Sequence, residues 1–194
     1  MEKSTFIPEA RSGLRAAWRS DMRHKFSLAV AVAFAVFPLG SAIAQVGQSG
    51  YSLPLALAVK AATKAIATCA SNGYPVSAVV VDTSGVIKLE AKGDHSTIHT
   101  TTSAFRKAYT VVAFGPIFRF DASSTFAALA AKNPSGAALA TLPDIALLPG
   151  GAAIKVGDEV VGALGVAGSP GGDKDEACAQ AGVESIKDDL GSSR

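Results

Sequence analysis

Residues 76–92 read VSAVVVDTSGVIKLEAK, and this stretch decides the fold class. Val76 to Val81 is a short, nearly continuous apolar run, suited to a buried strand. Asp82-Thr83-Ser84-Gly85 carries turn chemistry: a side chain that bonds its own backbone, then a residue free to take positive φ. From Ile87 to Lys92 the apolar positions Ile87, Leu89 and Ala91 alternate with Lys88, Glu90 and Lys92, the period of a half-exposed strand. Two strands joined by so short a turn must be antiparallel.

Working upstream, Ser52 can cap a helix that tolerates Pro54 in its first turn. Leu55, Val59, Ala62, Ile66 and Cys69 recur at helical spacing, and Asn72-Gly73 ends the helix. Downstream, Gly93-Asp94-His95-Ser96 forms a loop leading into a helix with Ile98, Thr102, Phe105, Tyr109 and Val112 as its inner stripe, ending at Gly115-Pro116. Ser124 caps a shorter helix that stops at Asn133-Pro134. Three strands follow, Ile145–Leu148, Ala152–Val156 and Val160–Val166, the last two hinged at Gly157-Asp158. A closing helix with an acidic first turn at Asp173 or Asp175 runs to about Ile186. The order α-β-β-α-α-β-β-β-α predicts an α+β domain with a roughly five-stranded antiparallel sheet, compatible with a profilin-like α/β/α sandwich.

The chain of 194 residues is 48% hydrophobic and 18% charged, enough apolar content for one substantial core. Its net charge of +2 is unevenly spread. Residues 1–44 hold six Lys/Arg and three Asp/Glu, and the remainder twelve and thirteen. A nearly neutral body without a basic stripe argues against a nucleic-acid binder. The N-terminal portion has the three parts of a secretory signal peptide: Arg23-His24-Lys25, the apolar run Phe26–Phe37 broken only by Ser27, and Ala42-Ile43-Ala44 before Gln45. The run is too short to span a bilayer of about 30 Å as a helix. Residues 1–44 are therefore set aside as an N-terminal extension and signal peptide, with Met22 placed where such a signal begins. Residues 45–194 are read as a single domain, exported to the periplasm or secreted, with no stable membrane span after cleavage. Export puts the two cysteines, Cys69 and Cys178, in an oxidising compartment. That favours a disulfide over the alternative of two buried thiols.

Several stretches, in this order and spacing, resemble the GlcG/HbpS-like family: Leu57–Ala62, Val79-Val80-Val81-Asp82 with Gly85, Ser103-Ala104-Phe105-Arg106-Lys107-Ala108-Tyr109-Thr110, Pro149-Gly150-Gly151, and Val161–Gly168 with Asp175-Glu176-Ala177-Cys178. The similarity covers nearly all of residues 51–187. It implies a profilin-like α/β/α sandwich, assembly into a homo-oligomer, and haem as cofactor, with haem degradation or haem sensing as the role. In such a sandwich the terminal helices share one sheet face, which would let the two cysteines meet. Two departures from the family pattern stand out. Asp94-His95-Ser96 replaces a common aspartate-glycine-alanine run, and Ala152-Ala153 replaces a valine-proline after the double glycine.

His95 and His99 are the only imidazoles after the leader, and imidazole can ligate haem iron or a transition metal. If the helix begins by His95, the two share one face. Helix-cap or surface histidines are the plainer reading. Tyr109 and Tyr74 are alternative oxygen ligands, with core packing the simpler role for Tyr109. Arg106 and Lys107 could pair with haem propionates or belong to a charged surface. Gly150 and Gly151 could bring backbone N–H groups to an anion, or simply turn the chain. The competing function is binding or sensing of a different small anion, such as an organic acid, through Arg106, Lys107 and the double glycine. No Ser-His-acid pattern or phosphate loop suggests a catalytic site.

Overall fold

The 76–92 stretch forms the expected hairpin: β1 (Ser77–Asp82) pairs antiparallel with β2 (Ile87–Lys92), and Asp82 Oδ1 accepts the N–H groups of Ser84 and Val86 across the turn. This computed structural model describes residues 51–190; the leader assigned to residues 1–44 lies outside them. The remaining elements are α1 (Leu55–Ala70), α2 (Thr100–Phe118), α3 (Ser123–Lys132), α4 (Gly136–Leu139), β3 (Gly151–Val156), β4 (Glu159–Ala167), α5 (Gly172–Glu184) and α6 (Lys187–Leu190).

The antiparallel sheet has the order β2-β1-β4-β3. β1 is internal, which explains its nearly continuous apolar run. Ala78 and Val80 join a core with α1 and α5 on one face, and Val79 and Val81 a second core with α2 and α3 on the other. The α/β/α sandwich of the α+β class is thus present, but with four strands among the described residues rather than five. Ile145–Leu148 is irregular. Its backbone bonds side chains instead of a neighbouring strand: Arg106 donates to Ile145 O at 2.5 Å, Ala146 N–H to Thr110 Oγ1 at 2.9 Å, and Ser123 Oγ to Leu148 O at 2.9 Å.

Two helix faces are rotated from the sequence expectation. α1 buries Ala58, Ala61, Ala62, Ala65 and Cys69, while Leu55 and Val59 stand 56% and 41% exposed. Small residues win because the helices sit close: a Cβ at Gly182 of α5 would come within 2.5 Å of the Ala61 carbonyl oxygen. α2 buries Ala104, Ala108, Val111 and Val112, and a Cβ at Gly165 of β4 would collide with the Ala104 carbonyl oxygen. Tyr109 and Phe105 lie at the margin of this core rather than in it. The helix caps also differ. Pro54 rather than Ser52 precedes α1, and Ala122 rather than Ser124 precedes α3, because the Ser124 hydroxyl bonds Glu176 instead. α2 continues through Pro116 to Phe118 and ends at Arg119 in the left-handed region, φ 55°. Proline in the last turn removes only one helical donor.

Cys69, closing the buried stripe of α1, is bonded to Cys178 of α5, with Cα atoms 5.7 Å apart. That lies within the usual disulfide range.

Candidate functional site

The sequence-derived candidates separate into a surface loop and a buried polar network. The loop joins β2 to α2. It is fixed from below by hydroxyls: Ser77 Oγ lies 2.7 Å from Thr100 Oγ1 and 3.1 Å from Ser96 Oγ, Ser96 donates to Gly93 O at 2.8 Å, and Thr100 to Thr97 O at 2.8 Å. These short side chains supply the partners that buried polar atoms require. Above them, Asp94, His95 and His99 are exposed. The two histidines do not share a helix face, because α2 begins only at Thr100. His95 lies ahead of the helix in the left-handed region, φ 63°, which histidine adopts more readily than most residues. His99 is the N-cap residue, its Nδ1 3.1 Å from Thr97 Oγ1. Between the two imidazoles in sequence stands Ile98, 91% exposed.

No group of three or more His, Cys, Asp or Glu side chains able to hold a metal ion occurs among the described residues. A bare ion would need more ligands than two imidazoles. Haem brings four nitrogens of its own and needs only an axial ligand from the protein. Either exposed imidazole could serve as that single ligand.

Lys107, Gly150 and Gly151 are brought together, but inside the protein. Lys107 is 3% exposed. Its ammonium donates to Asp175 Oδ2 at 2.6 Å and to Val166 O at 3.0 Å, while Asp175 Oδ1 accepts Ser169 N–H at 2.9 Å. Gly150, at φ 126°, donates its N–H to Glu176 Oε2 at 3.2 Å, and Gly151 donates to Ser123 Oγ at 2.8 Å. Glu176 also accepts from Ser124 N–H at 2.9 Å and from the Ser124 hydroxyl at 2.5 Å. One N–H of the double glycine, that of Gly150, does receive an anion, the chain's own Glu176 carboxylate, while that of Gly151 goes to a hydroxyl. The pair's lack of side chains is required here, since a Cβ on Gly150 would approach the Val166 carbonyl oxygen to 2.7 Å and one on Gly151 the Lys107 carbonyl oxygen to 2.5 Å. Sequence reasoning missed Asp175, Glu176, Ser123 and Ser124 as network members. Their only signal was an acidic first turn following a glycine-rich loop, which reads equally as helix-dipole compensation.

Arg106 is half-buried and spends one N–H on Ile145 O. Tyr109 stacks at a tilt on Phe105, centroids 5.6 Å apart, and leans over Gly85. Tyr74 lies under the Lys174 ammonium, 5.1 Å from its ring centroid. No helix among the described residues is long and apolar enough to cross a membrane.

Comparison with known proteins accords with this architecture. The structure is similar to that of a double mutant of HbpS from Streptomyces reticuli, 33% identical, with a TM-score of 0.65 over 77% of this chain and 97% of that one. Klebsiella pneumoniae protein ORFY (18% identical, TM-score 0.64, 78% of this chain and 97% of that one) shares the fold. So does PduOC, solved as a haem complex (19%, 0.62, 70% and 96%). No curated protein sequence matches the chain. Residues 53–184 match the family described as haem degrading protein HbpS-like. With that match across most of its length, and HbpS itself at one-third identity, the chain belongs to the HbpS-like family.

Proposed function

We propose that this chain is an exported haem-binding protein, with haem degradation or haem sensing as its role, and that it acts as a homo-oligomer. The observation that carries the reading is the pair of exposed imidazoles, His95 and His99, flanking an exposed Ile98 in a chain of this family. Either imidazole offers an axial nitrogen, and Ile98 offers apolar contact to a porphyrin face. Bound haem would supply the iron chemistry. The protein's part is to hold the loop rigid through Ser77, Ser96 and Thr100. Arg106 is the remaining candidate for a propionate, by exchanging its bond to Ile145 O. Lys107, Gly150 and Gly151 have a structural part instead, since their polar groups are already paired inside the protein. For the same reason, an organic acid held by Arg106, Lys107 and the double glycine would have to displace Asp175 and Glu176.

Residues 1–44 are proposed as the leader and 45–194 as the exported domain. The Cys69–Cys178 bond supports this, because disulfides persist in oxidising compartments. Absorption titration of the mature protein with haemin tests the binding. A shifted Soret band saturating at fixed stoichiometry is expected, and an unshifted, non-saturating signal would refute it.

A further inference from the structure

β3 is an edge strand, and among the described residues only part of its free edge is covered. Ala122 bridges to Ala152, and Ala153 N–H bonds Asp121 O at 2.8 Å. Beyond Ala153 the described residues give no further cover, and a cavity of about 570 Å³ opens between the end of β3 and α5–α6. That volume lies within the usual range for small-molecule sites. Its floor is aliphatic: Ala153, Val156, Val183 and Leu190. Its rim carries two cations and two carboxylates, Lys155, Lys187, Asp121 and Glu184.

The rim charges are paired with each other, Lys155 to Asp121 at 3.1 Å and Lys187 to Glu184 at 3.4 Å. The carboxylates are 63% and 71% exposed, and both lysines are also accessible. Exposed pairs of this kind are weak, so a ligand can exchange into them at little cost. A polyanion would meet the two carboxylates, and a wholly apolar ligand would strip water from four charges without replacing it. A molecule carrying one carboxylate and one ammonium on an aliphatic body satisfies rim and floor together. An adjoining recess of about 420 Å³ shares Asp121 and Lys155 and adds another opposite pair, Arg119 and Asp158, giving room for a longer zwitterion.

We infer that this cavity binds a small zwitterion with a branched aliphatic side chain, an α-amino acid or a short peptide. The inference is independent of haem. Calorimetric titration of the mature protein with L-leucine and with leucyl-leucine tests it. At least one should bind saturably, and N-acetyl-leucine and leucinamide, each lacking one charge, should bind at least tenfold more weakly than leucine or its dipeptide. A tighter dipeptide would identify peptides as the source, and equal affinities free amino acids. Lys155→Met and Asp121→Asn, both at accessible positions, should each weaken binding about fivefold or more, leaving the circular dichroism spectrum and the haemin titration unchanged. Absence of binding at millimolar concentration, equal binding of the blocked derivatives, or indifference to both variants would overturn the inference.

Discussion

A lysine that is only 3% exposed persists in a core because its charge is paired. Lys107 has a carboxylate and a carbonyl, and Asp175 in turn has a backbone N–H. Removing one partner strands the other charge in a poorly solvated place. Lys107→Met is therefore expected to cost about 3–5 kcal/mol, a large share of a typical domain's ~5–15 kcal/mol. Urea denaturation of the mature protein measures it. Lys107→Met combined with Asp175→Leu should recover most of the loss, because no buried charge is then unpaired. A double variant as unstable as the single one would show that packing, not charge, dominates. The surface histidines carry the opposite expectation. Replacing both His95 and His99 with alanine should cost only about 1 kcal/mol of stability, most of it from alanine at the positive φ of position 95, since the exposed side chains themselves contribute little. Haemin affinity should fall at least tenfold, about 1.4 kcal/mol. An unchanged spectrum and affinity would move the axial role to Tyr109, Tyr74 or a hydroxyl.

Between elements, the tie most open to experiment is the covalent one between α1 and α5. The cysteines are 109 residues apart, and chain-entropy arguments assign a loop of that length roughly 4–5 kcal/mol. Cys69→Ala with Cys178→Ala keeps the buried positions apolar and is expected to lower unfolding free energy by an amount approaching that figure. A loss under about 1 kcal/mol would mean that the reduced, unfolded chain is already restrained. Element types were legible because the hairpin and the main helices carry strong periodicity or punctuation. The faces of α1 and α2 were not, because periodicity ranks side chains by hydrophobicity and the helix contacts here select for size. Leu55 and Val59 are exposed while Ala58 and Ala61 are buried, and at Ala61 the α5 backbone at Gly182 approaches too near to admit a larger side chain between the helices. The 145–148 segment misled for a related reason. It has a strand's composition, yet Arg106, Thr110 and Ser123, distant in sequence, supply its hydrogen bonds. The candidate site divided along the same line. His95 and His99 could be picked out by residue type alone, whereas the burial of Lys107 depends on Asp175, 68 residues on.

For the whole molecule, the prediction concerns its processing. The leader pattern places cleavage after Ala44, so mass spectrometry of protein recovered from the cell envelope or medium should find Gln45 as the first residue. A mature protein retaining Phe26–Phe37 would contradict the leader assignment. The sandwich itself has a further property, set by the alanines and glycines on which its helices rest. In cores built of leucine and phenylalanine, truncation is the damaging event, costing about 2–5 kcal/mol. Here Ala58, Ala61, Ala65, Ala104 and Ala108 are fully buried and have only one methyl to lose, so Ala→Gly in these helices should cost about 1–2 kcal/mol, helix propensity and lost methyl burial together. Enlargement meets backbone, which cannot rotate aside as a side chain can. The evolutionary drift open to this protein at its helix–sheet seams is therefore one-sided. A library randomised at those positions would return survivors that keep or shed a methyl, and almost none that add one.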